Sequence, residues 1–188
     1  ETEEIRRLKQ DKTREELEEW FQGLIHEYVK WAKYLYHHTL RRNESLRELQ
    51  FPYEYRTGQK ELAVSVYRAL ARRRNLFIQA PTGIGKTLSV VYPSLKSMGN
   101  GTGEKLFYLT AKTITGSVAE NCFSLLRGQG MLFTTVTVTA KEKLCPMEKT
   151  ECNPDACPCA KGHFDRVNDA VFDIIHEQQG ITREILLQ

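Results

Sequence analysis

The sequence predicts an α/β fold in which a parallel sheet carries crossover helices. Short apolar runs in NLFIQA (75–80), KLFYLT (105–110) and MLFTTVTVT (131–139) alternate with stretches whose apolar residues recur at helical spacing. That alternation is the pattern of parallel strands joined by helices. A glycine-rich stretch, QAPTGIGKTLS at 79–89, directly follows the first run, where a strand hands over to a helix. With 188 residues, 40% of them hydrophobic, the chain can bury one sizeable core and a smaller appendage.

The elements follow in order. Between Arg14 and Leu49 there is no proline and no glycine after Gly23. Leu17, Trp20, Phe21, Leu24, Ile25, Tyr28, Val29, Trp31, Ala32 and Leu35 recur there at helical spacing, which predicts one long amphipathic helix or two. Phe51-Pro52 closes that segment, because proline lacks an N–H and pushes the preceding residue out of the helical region. Next come a helix from Gly58 to Arg73, the strand 75–80, a helix from Lys86 to Met98 and a turn at GNGTG. The strand 105–110, a helix from Val118 to Leu126 and the strand 131–139 complete the unit. After Lys141 a cysteine-rich loop interrupts the pattern, and helical spacing returns from Phe164 to Gln179. The expected division is a helical extension over 1–50, the α/β unit over 51–140 and a cysteine-rich insertion over 141–188.

Charge narrows the class only slightly. The 27 basic and 24 acidic residues leave a net +3, which permits contact with nucleic acid without arguing for it. No apolar stretch is long enough to span a bilayer, and ETEEIRRLKQDKTREELEEW is too charged for a signal peptide. A soluble, cytoplasmic chain with no membrane partner is the expectation.

The glycine-rich stretch has the chemistry of a phosphate cradle. Such a cradle needs inward-pointing N–H groups, glycines where the chain passes close to oxygen, a cation, and a hydroxyl for Mg²⁺, all at a helix N-terminus. Thr82, Gly83, Ile84, Gly85, Lys86 and Thr87 supply these parts. Lys86 would reach the β- and γ-phosphates and Thr87 would ligate Mg²⁺, so these two are the candidate catalytic residues. The strict pattern GxxxxGK[ST] fails at its first position, which is Ala80. The octet Ala80 to Thr87 resembles the AxTGxGKT variant of superfamily 2 helicases.

Gln59 stands 27 residues before Lys86. Its amide can donate and accept at once, which suits the edge of adenine. FPYEYRTGQ followed by APTGIGKT resembles the N-terminal motifs of the XPD and DinG family of iron–sulfur DNA helicases, which move 5′ to 3′ on single strands. The resemblance implies a partial RecA-like domain, ATP as cofactor, and Arg56 and Gln59 facing the nucleotide. YLTAKTITGSVAEN at 108–121 is similar to the family's motif Ia, which implies that Thr110, Lys112 and Thr113 contact single-stranded DNA. Gly116-Ser117 departs from the Arg-Thr pair usual there.

Cys145, Cys152, Cys157 and Cys159 are separated by six, four and one residues. Clustered cysteines in a reducing compartment point to metal ligation. Zinc sites favour CxxC pairs and none occurs, whereas iron–sulfur clusters accept looser spacing. The resemblance implies a 4Fe-4S cluster held by Cys145, Cys152 and Cys157, with a fourth cysteine beyond residue 188. Cys159 is a reserve ligand, since Pro158 keeps Cys157 extended and could put both thiols on one side. Cys122, in AENCFSLL, is expected to be a buried helix residue. Lys141, Lys143, Lys149, Lys161 and Arg166 surround the cluster segment and suit phosphate contact or plain solvation.

No DEAH or DExx box follows the third expected strand, so no Walker B carboxylate completes the Mg²⁺ site. The expectation is therefore the front part of an ATP-dependent DNA helicase, monomeric, binding ATP-Mg and single-stranded DNA. The alternative is a nucleotide-binding module whose zinc-stapled loop contacts nucleic acid or protein without strand separation.

Overall fold

The computed structural model describes residues 11–111 and 113–187. It contains α1 (Arg14–Glu48), α2 (Gln59–Ala71), α3 (Lys86–Gly99), α4 (Thr113–Arg127), β1 (Thr135–Val136), α5 (His163–Glu177), β2 (Gly180–Ile181) and α6 (Arg183–Leu186), with a 3₁₀ turn at Lys141–Lys143. Two compact units divide the chain at Leu40/Arg41.

The first unit is helical. A reciprocal cap starts α1: the Thr13 N–H donates to Glu16 Oε2 at 2.7 Å, and the Glu16 N–H donates to Thr13 Oγ1 at 3.2 Å. This satisfies two donors that a helix start otherwise leaves unpaired. Of the two possibilities for this stretch, one continuous helix is found.

The second unit holds the core. Leu46 and Leu49, at the end of α1 and just beyond it, pack with Val91, Leu95 and Met98 of α3, Cys122 and Leu126 of α4, and Met131 and Phe133. The end of α1 passes close over Gly99 at the end of α3: a Cβ there would lie 3.0 Å from the Arg47 backbone nitrogen. Lys96 donates to the carbonyls of Arg47 and Leu49, the latter at 3.0 Å, and so neutralises carbonyls at the C-terminal end of α1.

The sheet is smaller than the alternation predicts. Among the described residues, ladder pairing is confined to β1 and β2, parallel, with Thr135 opposite Gly180 and Val136 opposite Ile181. The expected strands 75–80 and 105–110 are not hydrogen-bonded into a sheet, and only two residues of 131–139 are. Residues 105–110 do keep a strand's two-sided pattern. Leu106 and Tyr108 pack against the core while Phe107 and Leu109 stay exposed. A strand needs a neighbour to form a ladder with, and among the described residues neither segment is paired into one. The architecture is thus mixed, mainly helical with a two-stranded parallel sheet, and is compatible with part of an α/β fold.

Arg127, at the end of α4, ties this sheet to the core. Its guanidinium donates to the Thr135 hydroxyl and to the Gln179 carbonyl. It also fills the space over Gly180, where a Cβ would come within 2.9 Å of Nη2. No described helix is long and apolar enough to cross a membrane.

Candidate functional site

The glycine-rich stretch turns directly into α3. Gly83 and Gly85 take φ of 85° and 82°, left-handed values that glycine reaches without steric cost. Gly85 is the N-cap of α3, so the first N–H groups of that helix open onto the loop. Ser89 donates its hydroxyl to the Gly85 carbonyl at 3.0 Å and fixes the first turn from inside.

The expected pair Arg56 and Gln59 meets this loop. The Arg56 guanidinium donates to the Gly83 carbonyl. Gln59 is 4% exposed, and its Oε1 accepts the Arg56 N–H at 3.0 Å. Its Nε2 lies against Gly85, so close that a Cβ on that glycine would sit 2.6 Å away. Two stretches 27 residues apart in sequence thus form one contiguous surface. Ile84 lines the same junction from the loop side, with its Cδ1 3.4 Å from where a Cβ on Gly58 would lie.

The lysine and threonine sit at the mouth. Lys86 Nζ donates to the carbonyls of Ala80 at 3.2 Å and Pro81 at 2.8 Å. Thr87 Oγ1 is 3.4 Å from the Tyr108 hydroxyl. That contact links α3 to the extended segment 105–110. Thr82, Gly83, Gly85, Lys86 and Thr87 line a cleft of about 710 Å³ together with Arg56 and Gln59.

Sequence reasoning missed the opposite wall of the cleft. Tyr53 and Glu54 contribute from the FPYEY stretch, and Val118, Asn121, Cys122 and Leu125 from α4. The aromatic-rich FPYEY run before Arg56 was the available signal for Tyr53; nothing local in α4 marks its residues as site-lining. Cys122 is buried, as expected, and burial pushes its thiol pKa up to about 11. It is therefore a packed wall and not a nucleophile.

The other expected site residues are more dispersed. Thr110 is exposed at the end of the segment 105–110. Lys112 lies outside the described residues, and Thr113 is described as the first residue of α4. Cys152 and Cys159 are exposed, Cys145 is half-buried and Cys157 is buried. Among the described residues no three His, Cys, Asp or Glu side chains are gathered so as to hold a metal. Lys141 sits beside Cys152, whose hydrogen bond and charge raise the lysine pKa.

Comparison with known proteins gives one partial relative. Over 47 residues the chain is 43% identical to a protein of Methanocaldococcus jannaschii named as a probable ATP-dependent helicase. The match covers 24% of this chain and 7% of that relative. This is a helicase relationship over a short stretch. No family model matches the chain, and no solved structure matches it.

Proposed function

We propose that this chain is the nucleotide-binding front of an ATP-dependent DNA helicase of the XPD and DinG type. The observation that carries the reading is the junction of Arg56 and Gln59 with the loop 82–87. A chance glycine-rich turn has no reason to be braced by an arginine and a buried glutamine from the preceding helix. The helicase-named relative supports the same direction.

In this reading the loop N–H groups and Lys86 hold the phosphates, and Gln59 reads the adenine edge. Mg²⁺, when bound, neutralises developing charge on the phosphates. Thr87, half-buried at the helix start and lining the cleft, is the proposed protein ligand for it, in exchange for its contact with the Tyr108 hydroxyl. Arg56 holds the Gly83 carbonyl through its guanidinium and so braces the loop. Thr110, Lys112 and Thr113 are proposed to touch a single strand through its backbone, with motion 5′ to 3′ in the complete enzyme. Cys145, Cys152 and Cys157 are proposed ligands of a 4Fe-4S cluster, with Cys159 in reserve. In this proposal cluster binding is coupled to the local folding of residues 141–162.

Calorimetry with Mg-ATP tests the reading. Binding is expected in the wild-type chain, and Lys86→Ala should weaken it by at least about tenfold. Equal affinity in the two proteins would overturn the nucleotide site. Elemental analysis after anaerobic purification separates iron from the zinc of the alternative module.

A further inference from the structure

Within the broader apolar face of α1 in the first unit, which also carries Trp20, Ile25 and Val29, one evenly spaced seam runs along the helix. Leu17, Phe21, Leu24, Tyr28, Trp31 and Leu35 follow one another at alternating steps of four and three residues. That average of 3.5 is the repeat of a helix that packs along its length against another helix. Among them, Phe21 is 53% exposed, Tyr28 71% and Leu35 53%. So long an apolar strip, unlike scattered surface leucines, marks an interaction surface.

We propose that residues 14–40 pair antiparallel with the same residues of a second copy of this chain. The order of the stripe is its own complement when reversed about His26. Leu17 then faces Leu35, Phe21 faces Trp31, and Leu24 faces Tyr28, each layer occurring twice in the pair. Charge selects the same direction. Glu15, Glu16, Glu18 and Glu19 crowd the first part of the helix, while residues 28–40 contain Lys30 and Lys33 and no carboxylate. Antiparallel pairing brings the acidic part of one helix to the basic part of the other, whereas parallel pairing sets like against like. Glu27, beside the axis, has Lys30 of its own helix 3.4 Å away. The proposed pairing departs from the monomer expected from sequence.

Sedimentation equilibrium on the chain with single and mixed variants tests the pairing. The wild type should be a concentration-dependent dimer. Leu24→Glu and Tyr28→Lys, both at exposed positions, should each weaken it by at least about tenfold while circular dichroism keeps the helical signal. Mixing the two variants should restore a dimer, because the carboxylate introduced at 24 in one chain faces the ammonium introduced at 28 in the other. A wild type that stays monomeric into the high micromolar range would overturn the proposal, as would single variants that remain dimeric. A mixture that stays monomeric would overturn the antiparallel register.

Discussion

The side-chain amide of Gln59 lies against Gly85 so closely that a single methyl group on the glycine would sit 2.6 Å from Nε2. Gly85 also holds a φ of 82°. Gly85→Ala therefore meets two obstacles, a left-handed backbone costing about 1–2 kcal/mol for a residue with a Cβ and the displacement of a buried side chain. The variant should unfold at a lower temperature and bind Mg-ATP more weakly. Gly101→Ala, also at positive φ but with open space around it, should lose stability alone, and calorimetry on both separates strain from site damage.

The buried Cys122 thiol gives a pH dependence of definite sign. Its pKa is raised from 9.0 to about 11 by burial, so between these values the unfolded chain has lost the proton that the folded chain keeps. The stabilisation is fully present below pH 9 and is lost as pH rises through 11, on the order of 2 kcal/mol. Urea melts across that window should show the decline in the wild type and a flatter profile in Cys122→Ala. At neutral pH a thiol reagent should modify Cys152 and Cys159 well before Cys122.

Arg127 and Gly180 should be energetically coupled. Gly180→Ala pushes a Cβ into the guanidinium that binds Thr135 and the Gln179 carbonyl, at an expected cost of about 1–3 kcal/mol. In the background of Arg127→Ala the same substitution should cost clearly less. A double-mutant cycle by thermal melting reads the difference, and strict additivity would mean that the two residues act independently.

Lys96 reaches the carbonyls at the end of α1, and burial lowers its pKa. Lys96→Met retains the apolar stem but removes those hydrogen bonds. A loss of about 1–2 kcal/mol is expected, visible as a shift in the denaturation midpoint with an unchanged slope.

Much of the helical framework was legible because its determinants are local. The expected helices from Gly58, Lys86 and Phe164 appear as Gln59–Ala71, Lys86–Gly99 and His163–Glu177, since apolar spacing and glycine at the start are read within a few residues. The expected helix from Val118 starts earlier, at Thr113. Strands were less legible: apolar runs such as Leu76-Phe77-Ile78 declare an extended segment, but a ladder depends on a neighbour distant in sequence. The same holds for the site. The loop 82–87 declared its chemistry through residue types, whereas the α4 wall at Asn121 and Leu125 arises only from tertiary packing. The cysteines are a different case, for their spacing suggests a shared ligand set while the fold by itself leaves Cys152 and Cys159 exposed and Cys157 buried.

Lys86 is already satisfied where it sits, its ammonium shared between the carbonyls of Ala80 and Pro81. An incoming anion must therefore outcompete two fixed dipoles that cost nothing to assemble. On the proposed reading, chloride, a single point charge, or a lone carboxylate, with one charge over two oxygens, would gain little from that exchange. A polyphosphate offers multiple charged oxygens to the helix N–H groups at the same moment, and the trade becomes favourable. Under the proposed function the loop would in this way favour polyphosphate over small anions, through backbone carbonyls that no side-chain substitution removes.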